Sequence, residues 1–193
     1  MKKENKVTLK VAVALAMLSA ISIILGKYLA IPGGEVLRFS FENLPIILAG
    51  IAFGPVGGVM VGAVADLLGC LMVGYTINPM VTLGAVSIGL LSGIVWKLLK
   101  GKNMKRIFKT AITVGIAHLI GSVLIKTVGL AVFYDMHILV LMLWRLLNYL
   151  IVGVLEGIVL YALLGNRMIA KEIEELKADP RAKRMEEDTN DVR

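Results

Sequence analysis

Long apolar runs occupy most of this chain, and they limit it to one class of fold. Of its 193 residues, 58% are hydrophobic and 18% are charged, and the mean hydropathy is +0.82. Soluble domains carry about 25% charged residues, whereas a run of about 20 apolar residues is long enough to cross a bilayer. The chain is therefore predicted to be an integral membrane protein.

Polar residues interrupt the most apolar part of the chain, residues 38–93. Five of them stand out, namely Arg38, Glu42, Asn43, Asp66 and Asn78. Polar groups at membrane depth are costly, and they usually face a cavity, a partner helix or a ligand. This segment therefore indicates both where the protein resides and where a binding site is expected.

The apolar pattern predicts an all-α fold of six transmembrane helices. Their expected bounds are residues 7–27, 41–53, 55–73, 79–99, 107–130 and 137–164. The second has about 13 residues, or roughly 20 Å as a helix, which is too short to cross a ~30 Å hydrocarbon core unaided. We expect it to be tilted, buried between neighbours or partly re-entrant. Residues 1–170 then form one transmembrane binding domain, and residues 171–193 form a charged tail.

Basic residues define the expected orientation. They cluster before the first helix, between the fourth and fifth helices (Lys97 to Lys109) and after the sixth helix. An even number of helices places these regions on one side, which the positive-inside rule makes the cytoplasm. Both termini are therefore expected on the cytoplasmic side of a bacterial plasma membrane. The net charge of +7 reflects this topology and does not indicate a nucleic-acid groove.

The fifth and sixth helices carry polar residues on single faces. His118, Ser122 and Lys126 are four residues apart, and Arg145, Asn148 and Glu156 also share roughly one face. We interpret His118 as a hydrogen-bonded packing residue and Glu156 as a structural partner. In the expected topology Lys126 and Arg145 lie in the outward half.

Three cations, Arg38, Lys126 and Arg145, are expected to converge on that outward half. Each needs a counter-charge at low dielectric, so an anionic ligand is one interpretation. The alternative pairs them internally: Arg145 or Lys126 with Asp66, and Arg38 with Glu42 or Glu35. Asp66 can neutralise one cation but not all three.

Small residues and missing motifs restrict the function further. Ala12, Ala16 and Ala20 form one face of the first helix, which permits close approach by another helix, inside or outside the bundle. The glycines of helices two to four indicate close packing, and Cys70 indicates a packed residue. The sequence contains no P-loop, no H-E-x-x-H, no G-x-S-x-G and no Cys/His metal cluster, so it is not expected to be an enzyme or to hold a metal or cofactor.

Several segments resemble those of a known family. They are R-x-S-F-x-x-L-P (from Arg38), F-G-P-x-x-G (from Phe53) and A-D-L-L-G (from Ala65), followed by GYTINPM. They are similar to the substrate-binding S components of energy-coupling-factor vitamin transporters, most of all the folate type. The resemblance implies a six-helix subunit that captures a vitamin from outside. It also implies three partner subunits, namely one transmembrane coupling subunit and two ATPase subunits. ATP is hydrolysed by these partners and not by this chain.

The same resemblance implies site residues. It assigns Arg38 and Phe39, Asn78, and Arg145 and Asn148 to the outer site, and it places Ala12, Ala16 and Ala20 against the coupling subunit. Asp66 matches the family motif, with either a ligand-binding or a structural role. Folate has two glutamate carboxylates for Arg38, Lys126 and Arg145, and rings that can stack on Phe39 or Tyr75.

Other functions remain open on the sequence. GYTINPM departs from the segment typical of folate-type members, so the vitamin could instead be pantothenate or riboflavin. From another class, an ion-coupled carrier or small membrane enzyme would use Asp66, His118 and Glu156 as a proton path. Such a path requires the three residues to lie in one connected chain.

Overall fold

The computed structural model describes residues 9–32 and 38–177, which are helical apart from one short ribbon. Its helices are α1 (Leu9–Ile23), α2 (Asn43–Val73), α3 (Pro79–Lys100), α4 (Arg106–Ala117), α5 (Lys126–Tyr134), α6 (Ile138–Gly165) and α7 (Arg167–Lys177). Two π-helical segments, π1 (Ile24–Tyr28) and π2 (His118–Ile125), extend α1 and join α4 to α5. Strands β1 (Ile31–Pro32) and β2 (Arg38–Phe39) pair antiparallel, with Ile31 opposite Phe39.

Five helical stretches in the described part of the chain are long and apolar enough to cross a membrane. Their bounds are Leu9–Tyr28, Asn43–Val73, Pro79–Lys100, Arg106–Tyr134 and Ile138–Gly165. These bounds lie within a few residues of the predicted ones, except that two predicted helices, 41–53 and 55–73, are joined as α2. The prediction of an all-helical membrane protein is confirmed.

α2 is a hairpin of two helical arms, residues 43–53 and 55–73, because the chain reverses at Gly54. Gly54 has φ 84° and ψ −179°, a conformation that favours glycine, and Pro55 begins the second arm. A Cβ at Gly50 would lie 2.6 Å from the Gly89 carbonyl oxygen, and one at Gly58 would lie 2.3 Å from the same oxygen. A straight helix would separate Gly50 from Gly58 by about 12 Å, so the arms must fold against each other.

Glycines bring α3 into contact with both arms of this hairpin. A Cβ at Gly89 would lie 2.1 Å from the Gly58 carbonyl oxygen, and one at Gly62 would lie 2.5 Å from the Ala85 carbonyl oxygen. Only residues without a side chain permit such a short distance between helix backbones. The prediction that these glycines serve helix packing is confirmed.

The helices share two ends. Lys97 and Lys100 at the end of α3 and Lys105 and Lys109 at the start of α4 lie at one end, which we call the lysine-rich end. Gly54 lies at that end too, since a Cβ at Gly93 would contact Pro55. The β1–β2 ribbon and residues 74–78 lie at the opposite end.

The first arm of α2 begins inside the bundle and not at the surface. Asn43 is fully buried, and Ser22 of α1 donates a 2.6 Å hydrogen bond to the carbonyl of Glu42. Glu42 and Asn43 thus lie where the first arm begins, at the end of the bundle opposite the lysine-rich end, and neighbouring helices enclose Asn43. The short arm runs from there to Gly54, and most of its residues are buried, as the alternative of a helix buried between neighbours requires.

Gly89→Ala tests the packing of α3 on the hairpin. The added methyl group would overlap the Gly58 backbone, so we expect a loss of about 1–3 kcal/mol in the free energy of unfolding. Gly101→Ala is the matched control, because a Cβ at Gly101 meets no atom within 4 Å. Thermal melting in detergent measures both; equal melting temperatures for the two variants would contradict this packing.

Candidate functional site

A buried ion pair stands at the start of the hairpin. Lys126 Nζ donates to Glu42 Oε1 at 2.9 Å and lies 3.5 Å from Asn43 Oδ1. The Lys126 side chain is 4% exposed and that of Glu42 is 23% exposed. Gly84 on α3 leaves space for the Lys126 side chain, because a Cβ at Gly84 would overlap Lys126 Cγ. The ion pair therefore links α5, α3 and the first arm of α2.

A small polar cavity lies beside this pair. Its volume is about 10 Å³, enough for roughly one water. It is lined by Ser22, Ile23, Lys27, Glu42, Ile46, Ala65, Asp66, Ala85 and Lys126. Asp66 accepts a 2.6 Å hydrogen bond from Thr82 Oγ1 on α3. Asp66 therefore joins α2 to α3 while remaining at the wall of a charged cavity.

Arg145 lies behind the pair and is held by π2. Its Nε and Nη2 both donate to the Ser122 carbonyl, at 3.2 and 3.0 Å, and Nη2 also lies 3.4 Å from the Tyr149 hydroxyl. The guanidinium carbon is 5.3 Å from the centre of the Tyr149 ring. π-helical turns widen the backbone ladder and recur at functional sites. Here the π segment carries the carbonyl that orients a buried cation.

A third polar group lies deeper in the bundle. His118 Nε2 and Glu156 Oε2 are 2.6 Å apart, His118 Nδ1 is 3.2 Å from Ser122 Oγ, and the His118 ring stacks on Tyr149 with centres 4.9 Å apart. The interpretation of His118 as a hydrogen-bonded packing residue and of Glu156 as its partner fits these contacts. Among the described residues no hydrogen bond joins this group to Asp66, which counts against a continuous proton path.

The internal pairing expected for the cations differs from the observed one. Lys126 pairs with Glu42 and not with Asp66, and Arg145 binds a backbone carbonyl. Two cations, Lys27 and Lys126, line the cavity together with two carboxylates, those of Glu42 and Asp66. Arg145 is buried outside that lining, where its hydrogen bonds go to the Ser122 carbonyl and the Tyr149 hydroxyl. A further negative charge beside Arg145 would balance its charge.

The remaining predicted site residues take different positions. Asn78 caps α3, accepting from the amides of Met80 and Val81 at 3.0 and 3.4 Å, and donates to the Gly129 carbonyl at 2.9 Å. Those three bonds give it a structural role. Asn148 is buried on the Arg145 face of α6, and Phe39 is half-buried in β2. Arg38 was also predicted for the site, but its side chain is outside the described part of the structure.

Tyr75 lies at the end of the bundle opposite the lysine-rich end, and it is 45% exposed. Lys27 Nζ is 5.9 Å from the centre of its ring and 3.9 Å from Cys70 Sγ. The structure thus brings Asp66, Lys126 and Lys27 together at the cavity, and it places Tyr75 beside Lys27.

Sequence reasoning missed several members of this cluster. From the sequence, Lys27 is given only as the end of the first helix, and neither Thr82 nor Tyr149 is named. A signal was present for Tyr149, which follows Arg145 by four residues and so shares its helix face. Lys27 gave no such signal, because its partners come from a distant part of the chain.

A larger groove of about 590 Å³ lies between α4–π2 and α6. Its lining is apolar except for His118, Tyr149 and Tyr161, and it opens on the side of the bundle. No lysine or arginine is among the lining residues, whereas two lysines and two carboxylates line the charged cavity. The charged cavity, and not the groove, is therefore the candidate vitamin site.

The alanine face of α1 is exposed. Ala12, Ala16 and Ala20 point away from the bundle, while Leu15 and Ser19 form the buried side of the same helix. The alternative of internal packing for these alanines is therefore wrong. The surface they form is open to another protein in the membrane.

Together, the apolar helices and a charged cavity buried near one end are the features of a multi-pass membrane protein. The family model for the substrate-specific component of ECF transporters matches residues 10–164. The chain belongs to this family, whose members are transporter components of the bacterial plasma membrane and not enzymes. It therefore serves a vitamin substrate and works with an energy-coupling module.

Individual proteins agree with this assignment. A curated relative, the folate transporter FolT of Clostridium novyi (strain NT), is 27% identical over 168 residues, covering 83% of this chain and 88% of the relative. A crystal structure of FolT bound with folic acid has a TM-score of 0.65 and 22% identity, covering 79% of this chain and 90% of that chain.

S components for other substrates share the fold. The S component for biotin from an ECF-type ABC transporter has a TM-score of 0.61 and 21% identity, covering 86% of this chain and 95% of that chain. The S component of a bacterial ECF transporter has a TM-score of 0.60 and 24% identity, covering 82% and 97%. At these identities the likeness shows the fold, and the substrate has to be argued from the site.

Lys126→Met tests the buried ion pair. Removing one partner leaves Glu42 as an uncompensated charge, so we expect a loss of about 3–5 kcal/mol in the free energy of unfolding. The double variant Glu42→Gln/Lys126→Met should recover most of that loss, because it leaves no isolated charge. Chemical denaturation in detergent gives the coupling energy; additive losses from Glu42→Gln and Lys126→Met would contradict the pairing.

Proposed function

We propose that the chain binds folate, or a closely related carboxylated vitamin, as the S component of its transporter. The observation that carries this proposal is the buried cation Arg145, which is bound to a backbone carbonyl and not to a carboxylate. Lys27 and Lys126 line the charged cavity, where Glu42 and Asp66 balance them. A ligand carboxylate would complete the balance, and guanidinium binds carboxylate in a bidentate manner. The FolT relative supports the choice of folate.

The lysine-rich end faces the cytoplasm in this proposal, so both termini are inside. Lys97, Lys100, Lys105 and Lys109 lie in short connections at that end, where the positive-inside rule counts them. The charged cavity then opens outward, beneath the β1–β2 ribbon and residues 74–78. The vitamin enters from outside and interacts with the cations.

Binding requires movement at the outer end. A cavity of about 10 Å³ holds a water but not a vitamin. Four residues of one connection at this end, 74–77 and including Tyr75, are exposed. We propose that they rearrange to admit the ligand, while Arg145 keeps its position because Ser122 and Tyr149 hold it.

Delivery depends on partner subunits in this proposal. A transmembrane coupling subunit packs on the exposed face that Ala12, Ala16 and Ala20 form, and two ATPase subunits hydrolyse ATP. The chain itself needs no cofactor. Small side chains on that face allow two helix backbones to approach closely in lipid, where packing drives association.

Equilibrium binding by the purified chain tests the substrate directly. Folate, pantothenate and riboflavin are titrated in parallel, and we expect saturable binding of folate with weaker binding of the other two. Riboflavin is neutral and leaves the cations without counter-charge. Saturation by pantothenate or riboflavin but not by folate would refute the proposed substrate.

Arg145→Gln tests the role of the buried guanidinium. We expect folate affinity to fall by more than about tenfold, because one charge-assisted pair is lost, and Arg145→Lys should restore part of it. Lys97→Gln, a charge removed at the lysine-rich end, is the control. Unchanged folate affinity in a folded Arg145→Gln variant would remove this residue from the site.

Ala16→Leu tests the docking face. The larger side chain keeps the helices apart, so co-purification with the coupling subunit should fall while folate binding stays intact. Ala162→Leu, at an exposed alanine on α6, is the matched control. Normal assembly of the Ala16→Leu variant would place the docking surface elsewhere.

A further inference from the structure

The groove between α4–π2 and α6 has a composition that sets it apart from the vitamin site. Three glycines, Gly115, Gly153 and Gly157, contribute to its two walls. A Cβ at Gly115 or at Gly157 would meet no atom within 4 Å. These glycines therefore do not bring helices together, unlike Gly58 and Gly89, and they keep a space open between two helices. At about 590 Å³ the space falls within the ~300–1,000 Å³ typical of ligand pockets.

The groove runs from the membrane surface towards the middle of the bilayer. Ile107 lines it at the lysine-rich end, one residue after α4 begins, and His118 lines it eleven residues further on. That separation is about 16 Å along a helix, close to half of the ~30 Å hydrocarbon core. The apolar lining continues to Val123, so the groove reaches about 24 Å along the helices, past the middle of the bilayer.

Cations surround its surface end. The Arg106 guanidinium carbon lies 4.7 Å from the centre of the Tyr161 ring, and Tyr161 lines the groove. Lys105 and Lys109 lie on the same turn of the chain, and Lys105 is exposed. An anion at this end would meet up to three positive side chains, which is the arrangement expected of a site for an acidic headgroup.

We propose that this groove is a binding site for an anionic phospholipid, with one acyl chain along Gly115 and Gly157 and the phosphate at Arg106. The occupant is a lipid because the groove opens sideways, where the membrane lies against it, and because its apolar lining begins beside cations at the membrane surface. Arg106 and Lys109 donate to the carbonyls of Leu164 and Lys100, but they have no negative charge there, which an anionic lipid supplies and a neutral lipid does not. The proposal is independent of the vitamin, whose site lies elsewhere in the bundle.

Native mass spectrometry of the purified chain tests the proposal. The chain is exchanged into micelles containing equal amounts of phosphatidylglycerol and phosphatidylcholine, and bound lipids are counted. We expect one retained phosphatidylglycerol per chain. Arg106→Gln should lower its preference over phosphatidylcholine by about fivefold, since one cation near a membrane surface contributes about 1 kcal/mol. No preference in the unaltered chain would overturn the proposal.

Filling the groove tests where the acyl chain lies. Gly157→Leu should reduce retained phosphatidylglycerol by about tenfold, because its side chain occupies the groove. Gly115→Leu, on the facing wall, should do the same, so the test does not depend on one variant folding. Val132→Phe, which enlarges a 79% exposed side chain outside the groove, is the control.

Two outcomes of the groove variants would overturn the proposal. One is unchanged retention of phosphatidylglycerol in a folded Gly157→Leu or Gly115→Leu chain. The other is unchanged lipid retention with a loss of self-association or of co-purification with the coupling subunit, which would make the groove a protein-docking surface. Folate affinity is measured on the same samples, so a failure of the lipid site is separated from a failure of the vitamin site.

Discussion

The ion pair between Lys126 and Glu42 is the interaction on which the arrangement of this bundle depends. Charges at membrane depth are tolerated when they are paired and hydrogen-bonded, and here the pair connects three helices that are distant in sequence. Glu42 ends the segment that enters the bundle, so the pair fixes where the short arm of the α2 hairpin begins. The pair lines one cavity together with Asp66 and Lys27. Lys126 and Glu42 therefore contribute both to the stability of the fold and to the charge of the cavity.

Glycine serves two opposite purposes in this chain, and the structure separates them. Gly58 and Gly89 allow helix backbones to touch, which lets α3 pack on both arms of the hairpin. Gly115 and Gly157 instead leave space on the other side of the bundle, where the lining is apolar and the surface end is cationic. The same division applies to charge: the cations of the cavity are buried and held, whereas those of the lysine-rich end are exposed to the membrane surface.

Much of the fold follows from the sequence, because hydropathy and helix period are local properties. The helix bounds, the break at Gly54-Pro55 and the shared faces of Lys126 with His118 and of Arg145 with Asn148 were all predicted. What failed depends on contacts between distant segments. The sequence pairs Lys126 with Asp66, whereas its observed partner, Glu42, is 84 residues away. The assignment of Asn78 to the ligand site stays a prediction; the structure adds that its hydrogen bonds hold the start of α3.

The central claim is that buried cations at one end of the bundle recognise the carboxylates of the vitamin. The most direct measurement compares the affinity of the purified chain for folate with that for folate dimethyl ester, which keeps the rings and removes both glutamate charges. The account predicts that the unaltered chain binds folate more tightly by at least about tenfold, and that Arg145→Gln narrows this difference. Equal affinity for the acid and the ester in the unaltered chain would contradict the account.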